Sequence, residues 1–281
     1  MDASTTILVG TAGDGVLSSL AELLAERNKK VLWVTDLAEV QISVPICHTD
    51  GKFRLKKGSE ILTLNGSDTL IFTNYYIGDL EDQSDSAYRR AETFASWFTF
   101  MTLFQGRAIN RPHTLTPPLY SDPLLARIVA RALGIPTVAD LVRGPGNSDV
   151  AEGLHAQTDL ASGVSLWSSS AADLGRRIVS HIDYSPDAQH YIVVRLPGET
   201  QLLSYSSIDG CRSEHQGSAE AVIKSAEGVC EALGLEYAYL TFIQHHEGWQ
   251  FTKLFMDPPP VFDENVLSSI TLQLANCLDH E

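Results

Sequence analysis

The stretch Leu233-Gly234-Leu235-Glu236-Tyr237-Ala238-Tyr239-Leu240-Thr241-Phe242-Ile243, followed after a short break by Gly248-Trp249-Gln250-Phe251-Thr252-Lys253-Leu254-Phe255-Met256-Asp257-Pro258, decides how this chain is read. Both runs are rich in aromatic and aliphatic residues and are bounded by Gly and Pro, which predicts a strand pair joined by a turn. The turn holds His245-His246-Glu247. Neighbouring strand residues point to opposite faces, so the two imidazoles make a poor chelate and are read as an exposed turn. Phe251 to Met256 contains no carboxylate.

Working outward, a helix is expected over Ser218 to Leu233 and an amphipathic one over Val266 to Leu278. Asp263-Glu264 precede the latter, where carboxylates favour the positive end of the helix dipole. Asp257, Asp263 and Glu264 could instead rebuild a metal site, but helix capping accounts for the last two more simply. Strands are expected over Tyr191 to Leu196 and Leu202 to Ile208, with a turn at Pro197-Gly198-Glu199. Upstream, Thr6 to Val9, the turn Gly10-Thr11-Ala12-Gly13-Asp14-Gly15, a helical run through Leu24 and Val31 to Val34 form a strand–turn–helix–strand unit, which favours a parallel sheet. A hairpin is expected around Lys52 to Leu64, a strand at Asp68 to Phe72, and a helix over Ala87 to Phe104 with Phe94, Trp97, Phe98 and Met101 on one face. Asp122-Pro123 should open another helix, Asp122 as N-cap, that Gly134 stops.

The length of 281 residues favours two domains or one domain of two lobes. The formal charge of −15 argues against nucleic acid or an anionic membrane as partner, since phosphate neutralisation needs clustered Lys and Arg. It leaves room for a nucleotide. No apolar run approaches the roughly 20 residues of a membrane span, and the first residues lack a signal-peptide pattern. Cys47, Cys211, Cys230 and Cys277 show neither zinc nor disulfide spacing, so a reduced cytoplasm is expected.

Three patterns carry a family resemblance. They are Gly106-Arg107-Ala108-Ile109-Asn110-Arg111-Pro112, then Ser121-Asp122-Pro123-Leu124 through Ala132-Leu133-Gly134-Ile135-Pro136-Thr137, and finally the strand pair closing on Asp257-Pro258. In this order they resemble the ATP-grasp superfamily, especially the ribosomal-protein-modifying glutamate ligases and graspetide-type peptide ligases. The resemblance implies an α/β (α+β) fold: an N-terminal Rossmann-like pre-ATP-grasp domain over 1–106, then a two-lobed ATP-grasp-like domain over 107–281 with lobes about 107–185 and 186–281.

Carried over position by position, the family's ligands are mostly missing. The lysine of its "N-K-P" pattern falls at Asp122 and a second expected lysine falls near Glu152. Its metal-bearing aspartate falls at Thr241, its glutamate at Phe255 and the following asparagine at Asp257. Magnesium in such a site is held by carboxylates and phosphate oxygens and neutralises charge on the moving phosphoryl group. Losing one such electrostatic partner typically costs about 10²–10³ in rate. The expected function is therefore a pseudoenzyme, a binding or scaffolding partner for a substrate peptide or an active ligase paralogue, with a homodimer also open. The alternative is an active ATP-dependent carboxylate–amine ligase with a substituted metal site, using ATP and Mg2+. Asp257 is then the remaining metal ligand, and Arg143, Arg195 and Lys253 are the cations that meet the cofactor; no catalytic residue is assigned. A third reading is a nucleotide binder at Gly10 to Gly15, which would lose its ligand in Gly13→Val.

Overall fold

The computed structural model describes residues 4–43, 52–75, 77, 86–111, 123–137, 140–143, 165–168, 177–180, 190–206, 210–213, 220–245, 248–259 and 262–279. Asp122, Glu152, the Pro117-Pro118 loop, the loop following Arg143, and His246 lie outside them. None of the described helices is long and apolar enough to cross a membrane.

Strand β1 (Thr5–Val9) is buried along its whole length and leads into α1 (Gly15–Glu26), whose Val16, Leu17, Leu20 and Leu24 form a buried stripe at helical spacing. The chain returns as β2 (Lys30–Val34), parallel to β1. Three short strands, β3 (Val40–Ser43), β4 (Arg54–Lys57) and β5 (Glu60–Thr63), then make an antiparallel sheet that contains the expected hairpin. Its turn uses Gly58 at φ +59°, which glycine adopts without strain. Strand β6 (Thr69–Phe72) joins the other side of β1, also parallel. After α2 (Ser86–Leu103), β7 (Arg107–Ile109) pairs parallel with β6 and completes the order β2-β1-β6-β7. Arg107, the first residue of the expected second unit, thus adds to the edge of the first sheet. The α2 stripe buries Trp97, Phe100 and Met101, and Phe104 follows just beyond the helix, with Phe94 and Phe98 on the flank.

Helix α3 (Pro123–Ala132) ends as expected at Gly134, which takes φ +74° while its N–H and that of Ile135 return to the last helical carbonyls. Next come β8 (Asp140–Arg143), β9 (Ser165–Ser168) and β10 (Arg177–Ser180), an antiparallel sheet of order β8-β10-β9. The last sheet has five antiparallel strands in the order β13-β12-β11-β14-β15. They are β11 (His190–Leu196), β12 (Glu199–Ser206), β13 (Gly210–Ser213), β14 (Ala238–His245) and β15 (Gly248–Phe255), with α4 (Glu220–Leu233) between β13 and β14. The opening strand pair of the sequence is β14–β15. Helix α5 (Glu264–Asp279) closes the described chain, and Asp263 caps it by accepting from the Val266 N–H at 2.9 Å.

Three cores stack these layers. One face of the parallel sheet meets α2 and the hairpin sheet through Val9, Leu70, Phe72, Trp97 and Phe100. Its other face, Leu8, Ile71 and Ile109, meets α1 and α5, and the same cluster takes in Ile192, Val194, Leu196 and Tyr239 of the five-stranded sheet. The far face of that sheet packs Val193, Leu240, Phe242 and Leu254 against α3 and α4. Helices α1 and α5 therefore form a layer shared by both large sheets.

Asn110 joins those sheets at one end. Its side chain is fully buried, at φ +61°, donates to the Phe72 and Tyr237 carbonyls at 2.9 and 2.7 Å, and accepts from the Glu236 and Tyr237 N–H groups at 2.9 and 3.0 Å.

Gly10 ends β1 where a Cβ would lie 2.6 Å from Leu17 Cδ1 and 2.8 Å from Thr73 Oγ1, whereas a Cβ on Gly13 meets nothing within 4 Å. Overpacking a filled site typically costs about 1–3 kcal/mol. Gly10→Ala is expected to lose that much stability in thermal or urea unfolding, while Gly13→Ala stays within about 0.5 kcal/mol of the parent.

Candidate functional site

The chain leaves β1 toward β2 on one side while β6 flanks β1 on the other, so the strand order reverses at the C-terminal ends of β1 and β6. In open α/β sheets the crevice beyond such a reversal is the usual ligand position. Here it gathers Thr11, Asp14, Thr73 and Asn74 from the first sheet and Asp257 from the end of β15.

Asp14 is completely buried and caps α1: Oδ1 accepts from the Leu17 N–H at 3.0 Å and Oδ2 from the Thr73 hydroxyl at 3.2 Å. Burial pushes its carboxyl up to about 7, opposed by the Leu17 hydrogen bond and reinforced by the charge of Asp257. Asp257 is also raised by burial, while hydrogen bonds from Asn74 and Thr11 hold it down. The Asn74 amide donates to Oδ2 at 3.0 Å; Oδ1 is buried without a hydrogen-bond partner among the described residues. Behind them the Tyr237 and Tyr239 hydroxyls bond to each other, and burial lifts both phenols well above their ordinary range.

A second group of side chains lies on one face of β14–β15. Register pairs Tyr239 with Phe255 and Thr241 with Lys253, so these four share that face. Between Thr241 and Phe242 the register slips by one residue, and Thr252 is the extra residue of a β-bulge. Its hydroxyl donates to the Thr241 carbonyl at 2.9 Å, and the two threonine hydroxyls are bonded. The Thr252 carbonyl, turned out of the ladder, accepts from Nε of Arg127 at 2.7 Å; Arg127, on α3, is only 2% exposed. Lys253 Nζ sits 4.4 Å from the centroid of the Phe255 ring. Burial, then the nearby Arg127 charge, brings its ammonium down to about 8.

Two of the cations expected to meet a cofactor, Arg195 and Lys253, lie on opposite faces of the five-stranded sheet. Lys253 is on the face just described. Arg195 points from β11 to the opposite face, where Nη1 donates to Thr200 Oγ1 at 2.8 Å and lies 3.6 Å from the Glu227 carboxylate of α4. Strand alternation is the reason: Ile192 and Val194 join the α1–α5 core, so Val193 and Arg195 face α4. Arg143 ends β8 with its backbone opposite Arg177. Trp249 stacks edge-on with Phe242 on the α4 side, so of the two aromatics near the hairpin only Phe255 belongs to the Lys253 face.

These residues do not fit a magnesium ion. The Thr241 hydroxyl is engaged within the bulge, Phe255 offers no donor atom, and Asp257 is one carboxylate already committed to Asn74 and Thr11. Among the described residues no group of three His, Cys, Asp or Glu side chains is placed to hold a metal. The turn at Gly10–Gly15 is equally unsuited to phosphate, because the buried Asp14 carboxyl already takes the first-turn N–H that an anion would use.

Asp14, Thr73, Asn74, Asn110 and Arg127 were not singled out from sequence as site residues. Asp14 carried the one readable signal, a polar residue directly before an apolar helical repeat.

No protein-family model matches the chain, and no curated protein does. Solved structures do. Macrocyclase MdnB from Microcystis aeruginosa MRC superposes with a TM-score of 0.68 at 14% identity, over 98% of this chain and 99% of that one. MdnC from the same organism, bound with precursor peptide MdnA, gives 0.66 at 16% identity over 99% and 100%. A Chryseobacterium gregarium RiPP-associated ATP-grasp ligase, in complex with ADP and a leader and core peptide, gives 0.69 at 10% identity over 99% and 97%. The chain has the fold of the ATP-grasp peptide ligases along its full described length.

Proposed function

We propose that this protein is an ATP-grasp-fold relative of peptide and carboxylate–amine ligases that has lost the ATP–magnesium ligands and acts as a binding or scaffolding partner. One observation carries this reading: where the resemblance expects metal ligands, the chain has a threonine locked in a bulge, a phenyl ring, and an aspartate tied to Asn74. Its ligand is a peptide, a substrate precursor or a segment of an active ligase paralogue, in the cytoplasm. Similarity to MdnC with its precursor and to the ligase with leader and core peptide supports that class. In this reading the four-stranded parallel sheet with α1 and α2 is the Rossmann-like unit, residues 1–106 with β7 lent to its edge, and 107–281 form the two lobes.

With ATP, magnesium and candidate precursor peptides the protein is expected to release no ADP above background. Sustained ADP release that disappears in Asp257→Ala would establish the second reading, an active ligase with a substituted metal site. Asp257 Oδ1, buried without a hydrogen-bond partner among the described residues, favours that alternative, because it leaves a carboxylate oxygen able to take a ligand.

A further inference from the structure

We propose that the free edge of β5, with Arg54 and Lys56 beside it, takes an acidic, extended segment of another protein as an added strand. The inference goes beyond the reading above: this surface uses neither Asp257 nor Lys253, so it stands whether or not the chain turns over ATP. In the sheet order β3-β4-β5, no described strand pairs with the far side of β5. The phase of the ladder fixes what that side offers. The Leu64 N–H donates to the Phe53 carbonyl at 2.9 Å, and antiparallel pairs alternate between bonded and unbonded. Arg54–Thr63 and Lys56–Ile61 are therefore unbonded pairs. Ile61 and Thr63 turn their N–H and C=O groups outward, two donors and two acceptors in strand geometry, without a partner among the described residues.

Side chains select the strand that fits. Register puts Gln41, Ser43, Arg54, Lys56, Ile61 and Thr63 on one face, all of them exposed, and Ile61 is 61% exposed. That face has two cations and no carboxylate. Neither cation has an ion-pair partner among the described residues, while Glu39 and Glu60 already sit beside Lys57 and Lys30 at 3.5 and 3.4 Å. The patch is thus positive on a chain whose formal charge is −15. Arg54 and Lys56 are two residues apart, roughly 7 Å along β4, and their side chains are long enough to span the one strand, about 4.8 Å wide, that separates them from the edge. An incoming strand with carboxylates at alternate positions repeats that spacing. A second copy fits less well. Pairing β5 with β5 about a two-fold axis would gather the Arg54 and Lys56 side chains of both copies on one face, where like charges destabilise a sheet.

Fluorescence anisotropy on the full chain at low salt tests this with two labelled peptides of about eight residues, one alternating glutamate and threonine, the other lysine and threonine. The glutamate peptide should bind and the lysine peptide should not. Ile61→Pro keeps the β4–β5 ladder, because that N–H points away from β4, and should weaken binding about 10-fold. Arg54→Gln combined with Lys56→Gln should weaken it at least about 3-fold, a loss that added salt reproduces in the parent. Thermal unfolding first shows each variant to be folded, and Thr63→Pro replaces Ile61→Pro should the latter fail. No binding of the glutamate peptide, equal binding of the lysine peptide, or unchanged affinity in the proline variant overturns the proposal. A parent dimer that the proline variant splits into monomers would give the edge to a second copy and also overturn it. None of these readouts involves a nucleotide, so their failure is distinct from failure of the pseudoenzyme reading.

Discussion

Asn110→Ala should destabilise the protein by about 4 kcal/mol or more, the largest effect expected of any single substitution discussed. The change strands two carbonyls and two N–H groups in the interior, and each buried polar group left unsatisfied costs about 1–3 kcal/mol. It also leaves an alanine at φ +61°, a conformation that costs ordinary residues about 1–2 kcal/mol. Urea unfolding of three variants separates the two contributions. Asn110→Gly relieves the backbone and keeps none of the bonds; Asn110→Asp keeps the acceptor and loses both donations. If the glycine variant were as stable as the parent, the hydrogen bonds would carry no weight and the joint would be a matter of backbone shape alone.

Stability should also fall as the pH rises from about 4 to about 7, and Asp14→Asn should flatten that slope. Asp14 has a folded-state carboxyl raised from 3.8 to about 7. The native state therefore holds its proton where the unfolded chain has released it. The stability tied to that proton is complete below the ordinary carboxyl range and is lost as the pH climbs through the raised value. A shift of about three units corresponds to a change on the order of 4 kcal/mol. Asparagine keeps the shape, can accept from the Leu17 N–H and can donate to Thr73, so Asp14→Asn should unfold near the parent's midpoint at pH 5 and above it at pH 8. An unchanged slope in the variant would assign the effect to other groups, Asp257 first among them.

The sequence was most informative where a pattern is local. The β14–β15 pair, the stop at Gly134, the Asp263 cap and the hairpin at β4–β5 follow from alternation, capping and turn chemistry, and all are observed. What was not legible depends on pairing between distant segments. Arg195 and Lys253 look equivalent as charged residues on strands, yet register and one bulge send them to opposite faces of the sheet. Asn110 was quoted as part of a motif, but its four bonds exist only because β6 and the start of β14 arrive at the same place. Asp14 read only as one residue of a tight Gly-rich turn; its hydrogen bond to Thr73, 59 residues away, and the nearby charge of Asp257 are set by the tertiary fold.

The α1–α5 layer between the two large sheets also bears on how such a chain can be taken apart. Excising either half would strip an apolar helix surface of its cover and leave the Arg27 and Lys29 side chains without Asp279, their ionic neighbour at 2.5 and 3.1 Å. Recombination that exchanges one half for that of a distant cousin must therefore also bring along the first or last helix that its core requires.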